Sequence, residues 1–406
     1  MSLLSLPEAL ALVAEHSSPM PEERVPFRDA ALRFLAEDLR APRDLPATDI
    51  SMMDGYALRA ADGLPGAPLR VVYEVAAGHA PTHRELMAGE AARIFTGAPI
   101  PPGADCVVMQ EHVGREGELA RVQEGHAPKA SQHIRRRGEE VRAGGLILPR
   151  GAELGPAELS LVAASGAVQP LVHGRPRVAI LVTGDELVPP GAEPAPGQLV
   201  ETNSAALAQL VREAGGQPIL LGIAADRVQE ISGRLQAADA DLLVTTGGAS
   251  VGDHDHAQEA LEKIGGKLIF HQVAIRPGKP ILFGTASRGR LLFGLPGNPA
   301  AAMLCFELFV RFAMRRMLGD RRPERPLVRA TLKGAPLQRL PNMTFFPRGV
   351  LRAEQGRLTF TPGGQQSSMQ IGSWAGVNAA AQLPPGAGRI EPGEELEALL
   401  LRPLIA

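Results

Sequence analysis

Asp241-Leu-Leu-Val-Thr-Thr-Gly-Gly-Ala-Ser-Val-Gly-Asp253 decides the fold: an apolar, β-branched run passes straight into a glycine-rich polar turn. Two further segments repeat the arrangement, Val178-Ala-Ile-Leu-Val-Thr-Gly-Asp-Glu-Leu187 and Leu291-Leu-Phe-Gly-Leu-Pro-Gly-Asn-Pro299. In an open parallel sheet such turns gather at the carboxyl ends of the strands, where ligands bind. Their glycines let the backbone come close to a bound group, and their free amides suit an anion. Arg276-Pro-Gly-Lys279, between the second and third turns, adds two cations on a stiff loop. The simplest expectation is one site for a highly anionic, phosphate-bearing ligand.

Outward from these turns the chain alternates strand and helix. Asn203 is placed to cap a helix with Leu207, Leu210, Val211 and Ala214 on one face, ended by Gly215-Gly216. Residues 217–224 form a strand, Asp226 caps a helix carrying Val228, Ile231 and Leu235, and residues 241–246 form the next strand. A helix over 254–264 stops at Gly265-Gly266. Regular alternation predicts a parallel sheet covered by helices. Upstream, short apolar runs at 70–76, 92–96 and 105–109 alternate with Gly and Pro turns, the pattern of a small β domain, protruding or barrel-like. Helices are expected over 4–15, 28–39 and 156–166. Beyond the linker Arg321-Arg-Pro-Glu-Arg-Pro326, short strands and turns predict another small β domain. The expected fold class is α/β plus mainly-β domains, a multidomain chain divided into 1–44 with 141–175, 45–140, 176–325 and 326–406.

A chain of 406 residues is too long for one ordinary core. Hydrophobic content of 45% with 21% charged residues describes a soluble globular protein. A net charge of -2 gives no global field favouring nucleic acid or membrane. The two cysteines, Cys106 and Cys305, make neither a disulfide framework nor a zinc cluster, which fits a reducing cytoplasm. The start of the chain has no basic region and soon meets Glu8 and Glu15, unlike a signal peptide. The apolar helix after Pro299 is interrupted by Glu307 and Arg311, unlike a membrane span.

Each motif has a plainer explanation beside the functional one. Asp185 and Glu186 at a strand end suit a divalent metal that bridges phosphates, yet on the turn alone capping or solvation explains them better. Thr245 to Asp253 offers two hydroxyls, glycines and a helix start as an oxyanion cradle. It matches neither the Walker pattern nor the dinucleotide fingerprint. Its length and terminal acids, Asp253 and Asp255, favour a ligand with magnesium over a bare tight turn. Arg276 and Lys279 are one fork-shaped and one point cation, or a solvated turn. Asn298 and Pro299 are a complete helix start in themselves, although the amides there also suit an anion. Asp49 to Tyr56 is an acidic turn, Phe95 to Gly103 a stiff one, and the arginines of Ile134-Arg-Arg-Arg-Gly-Glu-Glu140 read first as a solvated face. Gly364 to Met369 is a weak source of amides and hydroxyls. No Gly-x-Ser-x-Gly turn is present, and His254 and His256 lack the further ligands of a zinc enzyme.

Seven motifs in this order resemble the molybdopterin molybdenumtransferase family, the MoeA type, related to one domain of gephyrin. They are Ser51-Met-Met-Asp-Gly-Tyr-Ala57, Phe95-Thr-Gly-Ala98, Ile134-Arg-Arg-Arg-Gly-Glu139, Thr183-Gly-Asp-Glu-Leu187, Thr246-Gly-Gly-Ala-Ser-Val-Gly252, Arg276-Pro-Gly-Lys-Pro280 and Gly294-Leu-Pro-Gly-Asn-Pro299. The resemblance implies an elongated homodimer of four-domain chains. It also implies insertion of molybdate into adenylylated molybdopterin with magnesium-dependent release of AMP. Arg276 and Lys279 would hold molybdate, with Arg348 and Ser367 or Ser368 as further oxyanion contacts. Thr246, Gly247, Gly248, Ser250 and Gly252 would cradle the nucleotide-side phosphates, beside Pro296, Gly297 and Asn298. Glu186, Asp226 and Asp255 resemble the acids around Mg2+. Asp54, Thr96 and Arg136 or Arg137 match positions that reach the partner subunit's site. Arg276 stands where a lysine is common, Ala301 where a serine is, and Glu140 where an aspartate is.

Transient contacts with other cofactor-biosynthesis or acceptor proteins, and a cytoplasmic location, follow from the same resemblance. Two alternatives stay open: a non-catalytic dimeric scaffold of gephyrin type, and molybdopterin adenylyltransferase, whose α/β layer is similar. Binding of a stable peptide partner would distinguish the first, and ATP consumption with free molybdopterin the second.

Overall fold

The protein is represented by a computed structural model that describes residues 3–78, 84–247 and 256–404. At its centre lies a six-stranded sheet built from β1 (Arg177–Thr183), β2 (Gln217–Ala224), β3 (Leu242–Thr246), β4 (Lys267–Phe270), β5 (Leu282–Thr285) and β6 (Leu291–Leu295), in the order β2-β1-β3-β6-β5-β4. The expected parallel sheet is realised over β2, β1, β3 and β6, but β5 is reversed and pairs antiparallel with both β6 and β4. The cause is local. Parallel neighbours need a long crossover, and residues 286–290 between β5 and β6 are too few to make one.

Helices α1 (Asn203–Glu213), α2 (Val228–Ala237), α3 (His256–Lys263) and α4 (Pro299–Cys305) cover the sheet. Because side chains alternate along a strand, each inner strand feeds two cores. Val178, Ile180, Leu242, Val244 and Phe293 pack on α1 and the helix from Pro299, while Ala179, Leu181, Leu243 and Leu292 pack on α2 and α3. That is why β3 and β6 are buried at every position, whereas the edge strand β2 is partly exposed. After α4 the helix passes through a π-helical turn, Phe306–Val310, into Arg311–Met317. Glu307 in that turn is buried and pairs with Arg325 at 2.9 Å, tying the helix to the following linker.

The N-terminal helix, Leu6–His16, opens with a capping box between Ser5 and Glu8. The helix expected over 28–39 does not form. The segment holds a single 3-10 turn, Phe27–Asp29, and then gives its backbone bonds to residues 152–173: Leu35 N–H donates to Ala152 O, Ala36 N–H to Leu171 O, and Leu154 N–H to Arg33 O. Leu39–Arg40 pairs with Leu146–Leu148 as strands. Apolar spacing that suits a helix also suits this folded-over ribbon, and tertiary partners overrode propensity. Residues 55–122 contribute an open, largely antiparallel six-stranded sheet, not a barrel. The closed barrel lies instead at the C-terminal end, where Leu327–Leu332, Arg348–Glu354, Arg357–Pro362, Ala379–Ala381 and Glu395–Leu400 close on themselves. Both cysteines are buried thiols, and burial pushes the Cys106 thiol up to about 12. Among the described residues no helix is long and apolar enough to cross a membrane.

Candidate functional site

The ends of β1, β3 and β6 meet at one edge of the sheet. A Cβ on Gly247 would lie 2.2 Å from Thr183 O, and φ there is +92°, so both the close approach and the backbone conformation require glycine. Gly297 stands against the same residue, with its Cβ position 3.5 Å from Gly247 Cα. Around these turns opens a cleft of about 530 Å³, a size that suits a cofactor-sized ligand. Glu186, Asp226, Thr246, Gly247, Pro296, Gly297 and Asn298, all expected site residues, line it. So do Glu201, Thr202 and Asn203, and an apolar rim of Leu199, Val200, Met369 and Ile371, none of which was expected.

Asn203 is not the cap of α1. The Ser204 N–H and Oγ–H donate to Glu201 Oε1 and Oε2 at 2.7 and 2.6 Å, so the glutamate caps the helix. Asn203 Nδ2 instead donates to Gly297 O at 2.9 Å and Thr246 Oγ1 at 3.3 Å. Asp226 is not a cap either: α2 starts after Arg227 with no side-chain cap bond. The Asp226 N–H donates to Asp185 Oδ1 at 3.2 Å, while Asp226 Oδ1 is buried with no hydrogen-bond partner among the described residues.

Asn298 precedes α4 as expected, but its side chain makes no cap bond and donates to Ser368 Oγ at 3.2 Å. The Ala300 N–H donates to Ser368 O at 3.1 Å, and the Ala301 and Ala302 N–H groups to Asn298 O at 3.0 and 2.9 Å. Pro299 has no N–H. The first-turn amides that could have met an anion are therefore spent within the protein. The strap 366–371, which takes up the Ala300 amide, also reaches Arg348, whose Nη2 donates to Ser367 O at 3.1 Å. Arg348 is wholly buried, its Nε and Nη1 have no partner among the described residues, and burial lowers its guanidinium below the usual arginine value.

The loop with Arg276 and Lys279 sits beside this cleft and sends Pro280 into its wall. Ile275–Arg276 pairs with Thr344–Phe345, and Gly278 abuts α4, where a Cβ would lie 2.4 Å from Cys305 Sγ. Arg276 is exposed and Lys279 half-buried; neither side chain lines the cleft or has a partner among the described residues.

The remaining expected residues lie elsewhere. In the β segment, the Thr96 N–H and Oγ–H both donate to Asp54 Oδ1 at 2.8 Å, and the amide bond foremost holds that carboxyl below the usual range. Arg136 is bound to Asp49 at 2.6 Å and Arg137 to Asp44 at 2.5 Å. None of these lines the cleft. Gly248, Ser250, Gly252 and Asp255 fall outside the described residues. Among the described residues no three His, Cys, Asp or Glu side chains form a metal-holding group.

Fold and site together define a multidomain chain in which an α/β layer with ligand-type loops is flanked by β units. Three family models match in sequence: the MoeA N-terminal region (domain I and II) over residues 4–166, a probable molybdopterin binding domain over 179–316, and the MoeA C-terminal region (domain IV) over 333–401. The chain is 36% identical to the molybdopterin molybdenumtransferase of Nostoc sp., covering 96% of this chain and 91% of that protein. Against the Haemophilus influenzae protein of the same name identity is 34%, covering 97% of each. The crystal structure of the molybdopterin biosynthesis MoeA protein from Pyrococcus horikoshii OT3 matches with a TM-score of 0.80 at 30% identity, over 98% of this chain and 100% of that one. The chain belongs to the molybdopterin molybdenumtransferase family, transferases of molybdenum cofactor biosynthesis.

Proposed function

We propose that this protein inserts molybdate into adenylylated molybdopterin, with hydrolysis of the phosphoanhydride and release of AMP. The observation that carries this reading is Arg348. A wholly buried guanidinium with two nitrogens unpartnered among the described residues is costly unless an anion completes it. Arg348, Ser367 or Ser368, Arg276 and Lys279 hold the oxyanion. Thr246 and Gly247, with Gly248, Ser250 and Gly252 of the same sequence motif, hold the nucleotide-side phosphates, within reach of Pro296, Gly297 and Asn298.

Glu186 and Asp226 are the acids that hold Mg2+, with Asp255 as a third candidate. The buried Asp226 Oδ1, with no hydrogen-bond donor among the described residues and in the same cleft as Glu186, fits a hard cation, which these acids would hold. When bound, such an ion offsets charge developing on the leaving phosphate. The protein's own contribution is to orient the phosphoanhydride against the turns after β1, β3 and β6 and to set cations opposite the incoming oxyanion. The apolar rim of Leu199, Val200, Met369 and Ile371 suits the flat heterocyclic part of the substrate.

The working unit is a homodimer in which Asp54, Thr96 and Arg136 or Arg137 serve the partner's cleft. That none of them lines this chain's own cleft supports the reading. The test is to mix protein, adenylylated molybdopterin, Mg2+ and molybdate and follow AMP. Release that depends on both ions is expected. Substrate bound without AMP release would sink the proposal.

A further inference from the structure

Asn203 is 7% exposed and, with Glu201 capping α1, has no capping duty. Its Nδ2 meets Gly297 O at 2.9 Å and Thr246 Oγ1 at 3.3 Å. A backbone carbonyl only accepts, so the atom facing Gly297 must be the amide nitrogen, and the side chain's orientation is fixed. One side chain from α1 thus ties the turn after β6 to the end of β3. The Thr246 hydroxyl accepts from Asn203 and donates to nothing among the described residues, which leaves its proton for a group in the cleft.

We infer that Asn203 is a positioning residue for this site: its amide sets the spacing of the β3 and β6 turns and makes the Thr246 hydroxyl a donor to the ligand's anionic group. It touches no reacting atom itself. The inference rests on the proposed function for its kinetic readout only.

The experiment compares Asn203→Ala, the isosteric Asn203→Asp, which lacks the amide hydrogens, Thr246→Val and the double variant Asn203→Ala/Thr246→Val. Both Asn203 variants should lower kcat for AMP release by about tenfold or more, since small misplacements at a site are expensive. KM should stay within about threefold, and the unfolding midpoint within about 4 °C of the unmodified protein. The double variant should be no slower than the slower single one. Full kcat in Asn203→Asp would overturn the inference, as would multiplying losses or a loss that tracks the unfolded fraction. If the unmodified protein releases no AMP, the proposed function fails separately, and amide hydrogen exchange decides Asn203. Faster exchange over residues 242–247 and 291–297 in both Asn203 variants supports the tie, and unchanged exchange refutes it.

Discussion

Arg348 is a cation taken out of water, and among the described residues its guanidinium finds only the Ser367 carbonyl as an acceptor. A buried cation of this kind costs free energy that a paired anion offsets. Arg348→Met should leave the unfolding midpoint unchanged or raised, while the molybdate concentration for half-maximal AMP release rises by about tenfold or more. A lowered midpoint with unchanged molybdate dependence would make it a purely structural residue. Asp226→Asn tests the other sign of charge. Because no described residue donates to Oδ1, stability should hold, but the Mg2+ needed for half-maximal rate should rise by about tenfold. At this scale the place of Thr246 on the cleft was legible from its strand-end turn, whereas Glu186 and Asp226, read from the residues alone as a solvated turn and a helix cap, were expected there only through the family resemblance. Asn203 and Glu201 were not: Asn, Asp and Ser before an apolar helical run read as caps, and which one caps depends on what lies across the cleft. The unpartnered state of Arg348 is a property of its burial, invisible in its neighbours along the chain.

Among the elements, the central strands were the most legible, since continuous apolar runs ending in glycine turns have few other uses. The sheet's antiparallel edge was set by the shortness of the β5–β6 connection, and the failed helix at 28–39 by partners more than a hundred residues away. Gly247 joins two of the turns, and Gly247→Ala should cost about 2 kcal/mol or more through the forced positive φ and the contact with Thr183 O. Chemical denaturation checks it, and AMP release should fall as well. In the β segment, the strand Glu90–Ile94 starts with a carboxylate held by Arg84 and Arg70, each at 2.8 Å, which draws it down to about 2. A depressed carboxyl contributes stability that is present above its ordinary value and disappears as pH falls through its folded one. Glu90→Gln should therefore lower the midpoint at neutral pH, and the gap to the unmodified protein should narrow as pH drops from about 4.5 toward about 2.

Across the whole molecule, the presence of separate α/β and β units was legible from where periodicity changes, but their relations were not. A β domain of protruding or barrel-like form was expected over 45–140 and is an open sheet, while the closed barrel lies after residue 326, because alternation specifies strands and not closure. The joint between the α/β layer and the barrel is held by the buried Glu307–Arg325 pair. Arg325→Ala should destabilise by about 3 kcal/mol by leaving Glu307 buried and alone, measurable as a lower denaturation midpoint. Glu307→Gln/Arg325→Met should recover part of it. Ser368, from the barrel's strap, closes the backbone of α4, and its neighbours Met369 and Ile371 form part of the cleft's rim. It follows that a minimal catalyst cannot be carved from this polypeptide by keeping the α/β layer alone: trimming at the linker would leave a helix start open to solvent and a half-built receptacle.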